Sequence, residues 1–380
     1  MIYLDHNATT PPAPAVVSAM LPVLATGWAN ASSQHGPGQD ARRMLAAARA
    51  EVARALGAKP AEVIFTSGAT ESNQLALRGL LAAAPPGRRR LVLSAVEHAG
   101  LLKLARELAA QGVPVDVLPV RPDGTLDLAR AAALLGDDVA VVSVMAANNE
   151  TGALMPAAEL AALARSAGAA MHVDATQWIG KLPFDFAASG ADAVSLSAHK
   201  LRGPKGVGAL LLRAGTALRP QLPGSQERGR RGGTENLPAI AGFAAALQRL
   251  DGLPAEAGRQ AALRDHLETR LCRALPATHV YAAGVPRLPG TSMLRFGLLP
   301  AEVVLQRLEG LGIAASSGAA CSSGGSEPSH VLTAMGVPRD EALAAVRLSL
   351  GETTTVPDIE FLLTHLPPLL APLLDEAMAT

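Results

Sequence analysis

The sequence contains few residues of several types that usually define a class of protein. Only two of its 380 residues are cysteine, and the aromatic residues make up 3%. Cys272 and Cys321 lie in very different sequence surroundings, so they do not indicate a disulfide framework. A small disulfide-bonded secreted protein is therefore excluded, and we expect a cytoplasmic location.

Strong net charge and long apolar stretches are also missing. Lys and Arg number 33, Asp and Glu number 33, and the formal net charge is zero. This balance argues against a protein that binds nucleic acid or other polyanions. No apolar run is long enough to cross a membrane, and the first residues do not resemble a signal peptide. We therefore expect neither a nucleic-acid partner nor membrane association.

The residues that are abundant predict an α/β fold. Hydrophobic residues make up 49% of the chain, which is typical of a globular protein with a large core. Continuous apolar runs indicate strands buried on both faces, and helical patterns lie between them. This alternation favours a doubly wound, mostly parallel sheet. We predict strands at residues 63–66, 91–94, 139–143, 171–174, 193–196 and 208–212, and helices at 41–56, 101–111 and 157–167.

The pattern changes near residues 250–254. A helical pattern at 261–275 is followed by short strand patterns at 280–281 and 293–296. We therefore predict two domains: a large α/β domain at 13–253, and a smaller α+β domain formed by residues 1–12 and 254–380.

A strand end followed by a helix start provides a candidate phosphate site. Residues 65–73 read FTSGATESN, so a glycine turn connects the predicted strand to a helix. Backbone N–H groups at the helix start, near Ala69, and the Thr70 hydroxyl would bind a phosphate. In the alternative, Thr70 or Ser72 only caps the first turn of the helix. The residues alone favour the N-cap alternative.

Two other strand ends carry an acid and a lysine. Asp174 ends the predicted strand at 171–174, and Lys200 follows the one at 193–196. The chain has five lysines against 28 arginines, so a lysine here indicates chemistry that arginine does not perform. A neutral amine forms a Schiff base, whereas a guanidinium does not. In the alternative, Lys200 only extends along the edge of the sheet toward solvent.

A third strand end carries His98. A phosphate site, an acid for a pyridine nitrogen and a lysine for an imine are together what pyridoxal phosphate requires. His98 would stack on the ring of that cofactor and act as acid or base, since its unperturbed pKa is near neutrality. The alternative is a core histidine that hydrogen-bonds to a backbone carbonyl.

The surroundings of the two cysteines predict different roles. Cys321 lies in the sequence SSGAACSSGG, which is typical of an exposed and flexible loop. An exposed thiol in such a loop is a candidate nucleophile, although a lone cysteine is a weak signal. Cys272 lies in an apolar helical pattern, and we predict that it is buried in the core.

The chain resembles, nearly end to end, the cysteine desulfurases of the nitrogen-fixation and iron–sulfur-cluster type. These are class V aminotransferase-like enzymes with the fold type I architecture of pyridoxal-phosphate-dependent transferases. The matching motifs are at residues 3–10, 66–73, 97–98, 147–152, 172–177, 197–200, 203–206, 226–229, 233–236, 316–323, 327–330 and 347–351. So many matches in the same order make the resemblance specific.

The resemblance implies a role for each matching residue. Lys200 is similar to the Schiff-base lysine, His98 to the ring-stacking histidine and Cys321 to the nucleophile. Asn149 and Arg347 would hold the substrate carboxylate. The implied cofactor contacts are Ala69, Thr70, His98, Asn149, Asp174, Gln177, Ser197, His199, Lys200 and Thr234. No metal is implied.

Three of these contacts have a specific implied partner. Asp174 would pair with the pyridine nitrogen, and Gln177 would donate to the phenolate oxygen. Thr234 would reach the cofactor phosphate from the partner subunit of a homodimer. The same resemblance implies that L-cysteine is converted to L-alanine and that the sulfur forms a persulfide on Cys321. It also implies transfer of that sulfur to an acceptor protein, such as an iron–sulfur scaffold or a thiolation protein.

Other functions remain open at this point. An aminotransferase or lyase of the same fold would keep Lys200 and Asp174, and selenocysteine lyase activity is the nearest variant. A non-catalytic assembly partner would not need Lys200, Asp174 and Cys321 together. The chain also departs from the family at His6, Ala31, 223–225 and Glu352. We expect Ser225 and Glu352 to be the departures that affect substrate access or partner binding.

Overall fold

Long apolar runs in the first two-thirds of the chain form one central sheet. The structure is a computed structural model that describes residues 1–317 and 327–379, the last three by backbone only. The strands are β1 Ile2–Tyr3, β2 Val63–Thr66, β3 Arg90–Ser94, β4 Val115–Leu118, β5 Val139–Met145, β6 Ala170–Asp174, β7 Ala193–Ser197, β8 Gly208–Leu212, β9 Thr278–Val280, β10 Thr291–Phe296, β11 Ile313–Ala314, β12 Ser316–Ser317 and β13 Ala345–Ser349. The helices are α1 Pro14–Thr26, α2 Gly36–Ala55, α3 Ala69–Ala83, α4 Ala99–Ala110, α5 Leu128–Leu134, α6 Ala157–Ser166, α7 Leu237–Leu247, α8 Leu253–Ala274, α9 Ala301–Gly310, α10 His330–Ala334, α11 Arg339–Leu343 and α12 Val356–Ala379.

The central sheet has seven strands in the order β2-β8-β7-β6-β5-β3-β4. Only β8 runs antiparallel to its neighbours, so the sheet is mostly parallel. Its side chains alternate between two apolar layers: on β3, Leu91 and Leu93 pack in one layer and Val92 in the other. Because both faces are covered, the strands are apolar at nearly every position. The predicted α/β class with a mostly parallel sheet is confirmed.

A second, smaller set of strands forms from the C-terminal third. Strands β12, β13, β10 and β9 form an antiparallel sheet, and β1 pairs in parallel with β11. Leucines from α8 and α12, among them Leu267, Leu271 and Leu366, form a separate apolar cluster beside this sheet. The N-terminal residues therefore lie against the C-terminal part of the chain.

The six predicted strands of the central sheet are present, but three details differ from the sequence predictions. The edge strand β4 was not predicted, because its residues are mostly half-exposed and do not form a continuous apolar run. Helix α8 begins at Leu253, earlier than predicted, because Pro254 is compatible with the first turn of a helix. Cys272 is half-buried, so the prediction that it lies in the core is wrong. It follows the buried Leu271 on α8 but is itself partly exposed.

Candidate active site

A cavity of about 620 Å³ lies where the parallel strands of the central sheet end. Polar residues follow these strands, and the cavity is closed on the other side by β12 and β13. The predicted site residues that line it are Ala69, Thr70, His98, Asn149, Asp174, Gln177, Ser197, His199, Lys200 and Arg347. The fold therefore brings ten predicted residues, far apart in sequence, to one place.

One end of the cavity is formed by the start of α3. The helix begins after Gly68, and no side chain caps it. Ser72 hydrogen-bonds instead to the Thr66 hydroxyl (2.8 Å) and the Gly68 carbonyl (3.2 Å), so the alternative that Thr70 or Ser72 is the N-cap is wrong. Gly68 has φ +153°, which residues with a side chain rarely adopt. Uncapped N-terminal N–H groups beside Ala69 and Thr70 suit an anion such as a phosphate.

Two residues at the end of β7 lie at the same end of the cavity. Ser197 is the last residue of β7 and is buried, and His199 follows in a short turn. The imidazole Nδ1 of His199 lies 3.1 Å from the Thr9 hydroxyl. Burial, with the positive charges of Lys200 and Lys205, lowers the pKa of His199 to about 4. The neutral form of the His199 ring is therefore favoured, and it can serve as a hydrogen-bond partner in the cavity wall.

Asp174 is the last residue of β6 and is 6% exposed. Its carboxylate accepts hydrogen bonds from the Asn73 side-chain amide (2.7 Å) and the Thr176 backbone N–H (3.0 Å). These two contacts fix the carboxylate in the cavity wall. A buried carboxylate in this position fits the predicted pairing with a protonated ring nitrogen.

Lys200 lies across the cavity, and its amine is held by backbone carbonyls. The Nζ atom donates to the Asn7 carbonyl (2.6 Å) and to the Ala8 carbonyl (2.8 Å). The same Asn7 carbonyl accepts a hydrogen bond from the Gln177 amide (2.9 Å). Lys200 therefore lies in the cavity lining, and the alternative in which it only extends toward solvent does not describe its contacts.

The side chain of Asn7 connects several parts of the site and was not predicted as a site residue. Its amide nitrogen donates to the Asn149 carbonyl (3.1 Å) and the Thr291 hydroxyl (2.9 Å). Its amide oxygen accepts from the Lys181 amine (2.6 Å), which also donates to the Gln177 side chain. Burial, Lys200 and Arg347 lower the pKa of Lys181 well below its usual range. The only sequence signal for Asn7 is its place in the polar motif at residues 3–10.

His98 precedes α4, and its ring lines the cavity as predicted. The Nδ1 atom accepts a hydrogen bond from the Gly100 N–H (3.1 Å), so the side chain caps α4. Although the ring is exposed at the cavity surface, partial burial lowers its pKa, and the charge of Lys200 acts in the same direction. Because Nδ1 accepts this hydrogen bond, it carries no proton in this arrangement. The alternative of a core histidine that hydrogen-bonds to a backbone carbonyl is therefore wrong.

Arg347 and Asn149 lie together in the lining of the same cavity. Arg347 is 5% exposed and donates to the Asn149 carbonyl (2.9 Å) and the Asp5 carboxylate (2.7 Å). Its Nε has no hydrogen-bond partner among the described residues. A buried guanidinium with a remaining donor suits a carboxylate ligand. This geometry fits the predicted role of Arg347 and Asn149 in substrate binding.

Three buried groups in or near the cavity lining were missed by sequence reasoning, and one of them, Glu150, lines the cavity itself. Glu97 is fully buried, and burial together with Asp174 raises its pKa well above the usual range. Burial also raises the pKa of Glu150 to about 7. His172 on β6 lies between the Ser143 and Ser195 hydroxyls, each 2.9 Å from a ring nitrogen, and burial lowers its pKa to about 4. Each lies one or two residues from a predicted site residue, which was the available signal.

Two predicted site residues are not placed at this cavity. Thr234 is exposed and does not line it, so its predicted contact with a partner's cofactor stays a prediction. Cys321 lies outside the described residues. The described residues on either side are Ser317, which lines the cavity, and Glu327.

The departures from the family differ in what they contact. Glu352 accepts hydrogen bonds from Arg202 (2.6 Å) and Arg249, and it lines a separate cavity of about 280 Å³ next to Lys200. Ser225 is exposed and lines neither cavity. His6 is 2% exposed and packs edge-on against Tyr3 at 5.0 Å. The expectation that Ser225 and Glu352 affect substrate access or partner binding stays a prediction.

The described residues provide neither a metal site nor a membrane span. No group of three or more His, Cys, Asp and Glu side chains in this part of the chain is arranged to hold a metal ion. Among the same residues, no helix combines the length and apolar character that a membrane span requires.

Comparisons with known proteins agree with the site. The family model described as aminotransferase class-V matches residues 2–362. A cysteine desulfurase from Cereibacter sphaeroides is 46% identical over 97% of this chain and 95% of that protein. The cysteine desulfurase NifS of Azotobacter vinelandii is 45% identical over 98% of this chain and 93% of its own. A solved NifS-like protein superposes with a TM-score of 0.90 at 33% identity, covering 97% of this chain and 99% of that one. The chain belongs to the class-V aminotransferase family, whose cofactor is pyridoxal phosphate.

Proposed function

We propose that this protein is a pyridoxal-phosphate-dependent cysteine desulfurase that converts L-cysteine to L-alanine and forms a persulfide on Cys321. The observation that supports it best is that one cavity joins an uncapped helix start, a buried acid, a lysine amine and a buried arginine. Relatives of about the same length with that activity in their names are 45–46% identical to this chain.

The residues at the α3 end of the cavity would hold the cofactor. The N–H groups near Ala69, with Thr70, Ser197 and His199, would bind its phosphate. Asp174 would hold the proton on the ring nitrogen. His98 would stack on the ring, and Gln177 would donate to the phenolate oxygen. Pyridoxal phosphate, when bound, supplies an electron sink for bond cleavage at the substrate Cα.

A second group of lining residues would hold the substrate. Arg347, with Asn149, would bind the carboxylate of L-cysteine, because a buried guanidinium pairs strongly with that group. The Lys200 amine would move the proton at the substrate Cα. Its hydrogen bonds to the Asn7 and Ala8 carbonyls orient Nζ for that task.

Cys321 would take the sulfur. Its thiolate forms an S–S bond with the substrate sulfur while the C–S bond of the substrate breaks and leaves its electron pair on carbon. Protonation of the carbon fragment gives L-alanine, so cysteine and one thiol yield alanine and one persulfide. The position of Cys321 in the sequence, four residues after the cavity residue Ser317, supports this role.

A homodimer with shared sites is part of the proposal. The segment that carries Thr234 is fixed at the surface: Glu227 forms a buried ion pair with Arg49 (2.6 Å), and Arg231 pairs with Glu71 on α3 (2.8 Å). Thr234 is therefore exposed on a well-supported segment outside its own cavity, which supports a contact with a second copy. Full activity of a monomer at high dilution, measured by sedimentation and assay together, would contradict the dimer.

Three further points belong to the proposal. A sulfur-acceptor protein, such as an iron–sulfur scaffold or a thiolation protein, would receive the persulfide sulfur. The low cysteine content supports a cytoplasmic location. The separate apolar cluster around α8 and α12 supports the division into domains at 13–253 and at 1–12 with 254–380.

The test is to incubate the holoenzyme with L-cysteine and to measure alanine, sulfide and the mass of each cysteine peptide. We expect equal amounts of alanine and released sulfur, with one additional sulfur atom on Cys321. The Cys321→Ala variant should keep the bound cofactor but form little alanine, while the matched Cys272→Ala variant should remain active. Pyruvate or a transaminated product in place of alanine would indicate a lyase or an aminotransferase instead. Additional sulfur on Cys272 would contradict the role of Cys321.

A further inference from the structure

Glu150 and Ser329 have no part in the proposed chemistry, and the structure joins them by a buried hydrogen bond. Glu150 lies in the turn at residues 147–152, and Ser329 lies in the segment at 327–330. The Ser329 hydroxyl donates to Oε2 of Glu150. Ser329 is 2% exposed and Glu150 is 4% exposed, so water does not compete for this contact.

The turn that carries Glu150 is held in one conformation. The side-chain oxygen of Asn148 accepts the N–H groups of Glu150 (2.9 Å) and Thr151 (3.0 Å). The Asn148 amide also donates to the Val96 carbonyl (3.1 Å). Because Asn149 and Glu150 both line the cavity, this fixed turn is part of the cavity wall.

The segment that carries Ser329 begins directly after the residues around Cys321. The Ser329 hydroxyl also accepts the Leu332 N–H (3.1 Å) and so caps α10. The next residue, His330, contacts the Glu97 carbonyl through Nε2 (2.9 Å). Ser329 therefore contacts the substrate side of the cavity wall through Glu150, and His330 contacts the cofactor side through Glu97, the neighbour of His98.

Burial of the Glu150 carboxyl group lowers the stability of the fold, so we expect this group to have a function. Burial raises its pKa to about 7, and the Ser329 hydroxyl and Arg347 offset this only in part. An apolar residue would fill the same space without the desolvation of a carboxyl group, which opposes folding. The contact is therefore better explained by orientation of the segment than by stability.

We infer that Glu150 and Ser329 are positioning residues that fix the segment following Cys321 to the substrate side of the cavity, for the transfer of sulfur to that cysteine. The inference relies on the proposed function for the identity of the transfer step. It does not rely on it for the contact itself, which is between described residues. Neither residue is assigned a contact with the reacting atoms.

The experiment separates sulfur transfer from the earlier chemistry. Exchange of the Cα proton of L-alanine in deuterated water reports on Lys200 and the cofactor without Cys321. Single-turnover persulfide formation on Cys321 reports on the transfer. In holoenzyme carrying Glu150→Ala, we expect unchanged Cα exchange and persulfide formation slowed by about 10- to 100-fold, because small misplacements of a reacting group have effects of this size.

Conservative and control variants exclude a general loss of stability. Glu150→Gln keeps an oxygen that accepts from Ser329, so it should restore most of the transfer rate. Asp127→Ala removes a cap from α5, away from the cavity, and should leave both rates unchanged. Wild-type rates of transfer in Glu150→Ala, or equal losses of exchange and transfer without restoration by Glu150→Gln, would overturn the inference.

A second measurement does not need activity. Backbone amides at residues 329–334 should exchange with solvent faster in Glu150→Ala than in the wild type, and at the wild-type rate in Glu150→Gln. Unchanged amide exchange in Glu150→Ala would refute the contact even if the desulfurase proposal holds. A wild-type enzyme that forms no persulfide, but shows the expected amide exchange, would refute the proposed function and keep the contact. If Glu150→Ala does not fold, Ser329→Ala with Glu150→Gln serves the same comparison.

Discussion

The cofactor side and the substrate side of the cavity are constructed in different ways. The cofactor side comes from one sheet, because Asp174 and Ser197 end the neighbouring strands β6 and β7 and Lys200 follows directly. The substrate side combines distant parts of the chain: Arg347 binds Asp5, which is 342 residues away in sequence, and Asn7 binds both Asn149 and Thr291. Strand pairing thus places the cofactor-side residues, although the Lys200 amine also contacts the Asn7 and Ala8 carbonyls. Long-range side-chain hydrogen bonds hold the substrate side together.

This difference has a consequence for substitutions. A change on the cofactor side leaves the sheet in place, so its effect should be limited to the chemistry of the changed group. A change on the substrate side removes a contact between parts of the chain, so its effect should extend to neighbouring residues. The first two predictions below test this contrast, and a third tests a buried group of the sheet beneath it.

The largest effect is expected on the cofactor side, from Lys200→Ala. The variant should lose activity by about 10²- to 10⁴-fold or more, because the group that moves the proton at Cα is absent. It should still bind pyridoxal phosphate, since α3, Ser197 and Asp174 are unchanged. Alanine formation and the cofactor absorbance after dialysis measure the two properties.

Lys103→Ala is the matched control for that prediction, since Lys103 is an exposed lysine outside the cavity. It should behave as the wild type. Alanine formation by Lys200→Ala at the wild-type rate would show that Lys200 has another role.

A pair of asparagine variants should separate the two sides. Asn73→Ala removes the donor to Asp174 and should weaken cofactor binding by about 10-fold or more, since a hydrogen bond to a charged group contributes about 1.5–3 kcal/mol. Asn7→Ala leaves Lys181, Asn149 and Thr291 each without one partner, and it should raise the KM for cysteine. Cofactor titration should therefore differ from the wild type in Asn73→Ala, and the KM for cysteine should differ in Asn7→Ala.

The outcome that contradicts this contrast is equally clear. If Asn7→Ala weakens cofactor binding as much as Asn73→Ala does and leaves the KM for cysteine unchanged, the two sides are not independent. Thermal unfolding of both variants serves as the control, because a similar loss of stability in the two makes the kinetic difference specific.

The same contrast explains how much could be predicted from the sequence. Asp174, Ser197 and Lys200 were predictable because continuous apolar runs mark where buried strands end, and ligands bind beyond those ends. Asn7, Glu97 and Glu150 were not, because their roles depend on partners that only the fold brings near. The contacts of Asn7 span 142 and 284 residues of sequence, and no local pattern encodes them.

Local chemistry was also ambiguous where two physical causes favour the same residues. Thr70 and Ser72 suit an N-cap as well as a phosphate site, and the structure distinguishes them only through the hydrogen bonds of Ser72. The edge strand β4 was not predicted, because its half-exposed residues form no continuous apolar run.

The last prediction, with the smallest effect at neutral pH, concerns His172, a buried residue two positions before Asp174 on β6. Its pKa is lowered from 6.5 to about 4 by burial, so the folded protein keeps it neutral while the unfolded chain protonates it near 6.5. The unfolded state then binds more protons, and the free energy of unfolding should fall as the pH drops from 6.5 toward 4. For a shift of this size the loss is about 2 kcal/mol at pH 5, at about 1.4 kcal/mol per unit of pKa. In His172→Gln this part of the acid sensitivity should disappear, so the stability deficit of the variant relative to the wild type should shrink as the pH falls.

Urea unfolding at pH 7 and pH 5 measures this deficit. His266→Gln is the control, since His266 is a 40%-exposed histidine on α8 beside Glu360. A difference between wild type and His172→Gln that is the same at both pH values would show that the histidine does not remain neutral in the folded sheet.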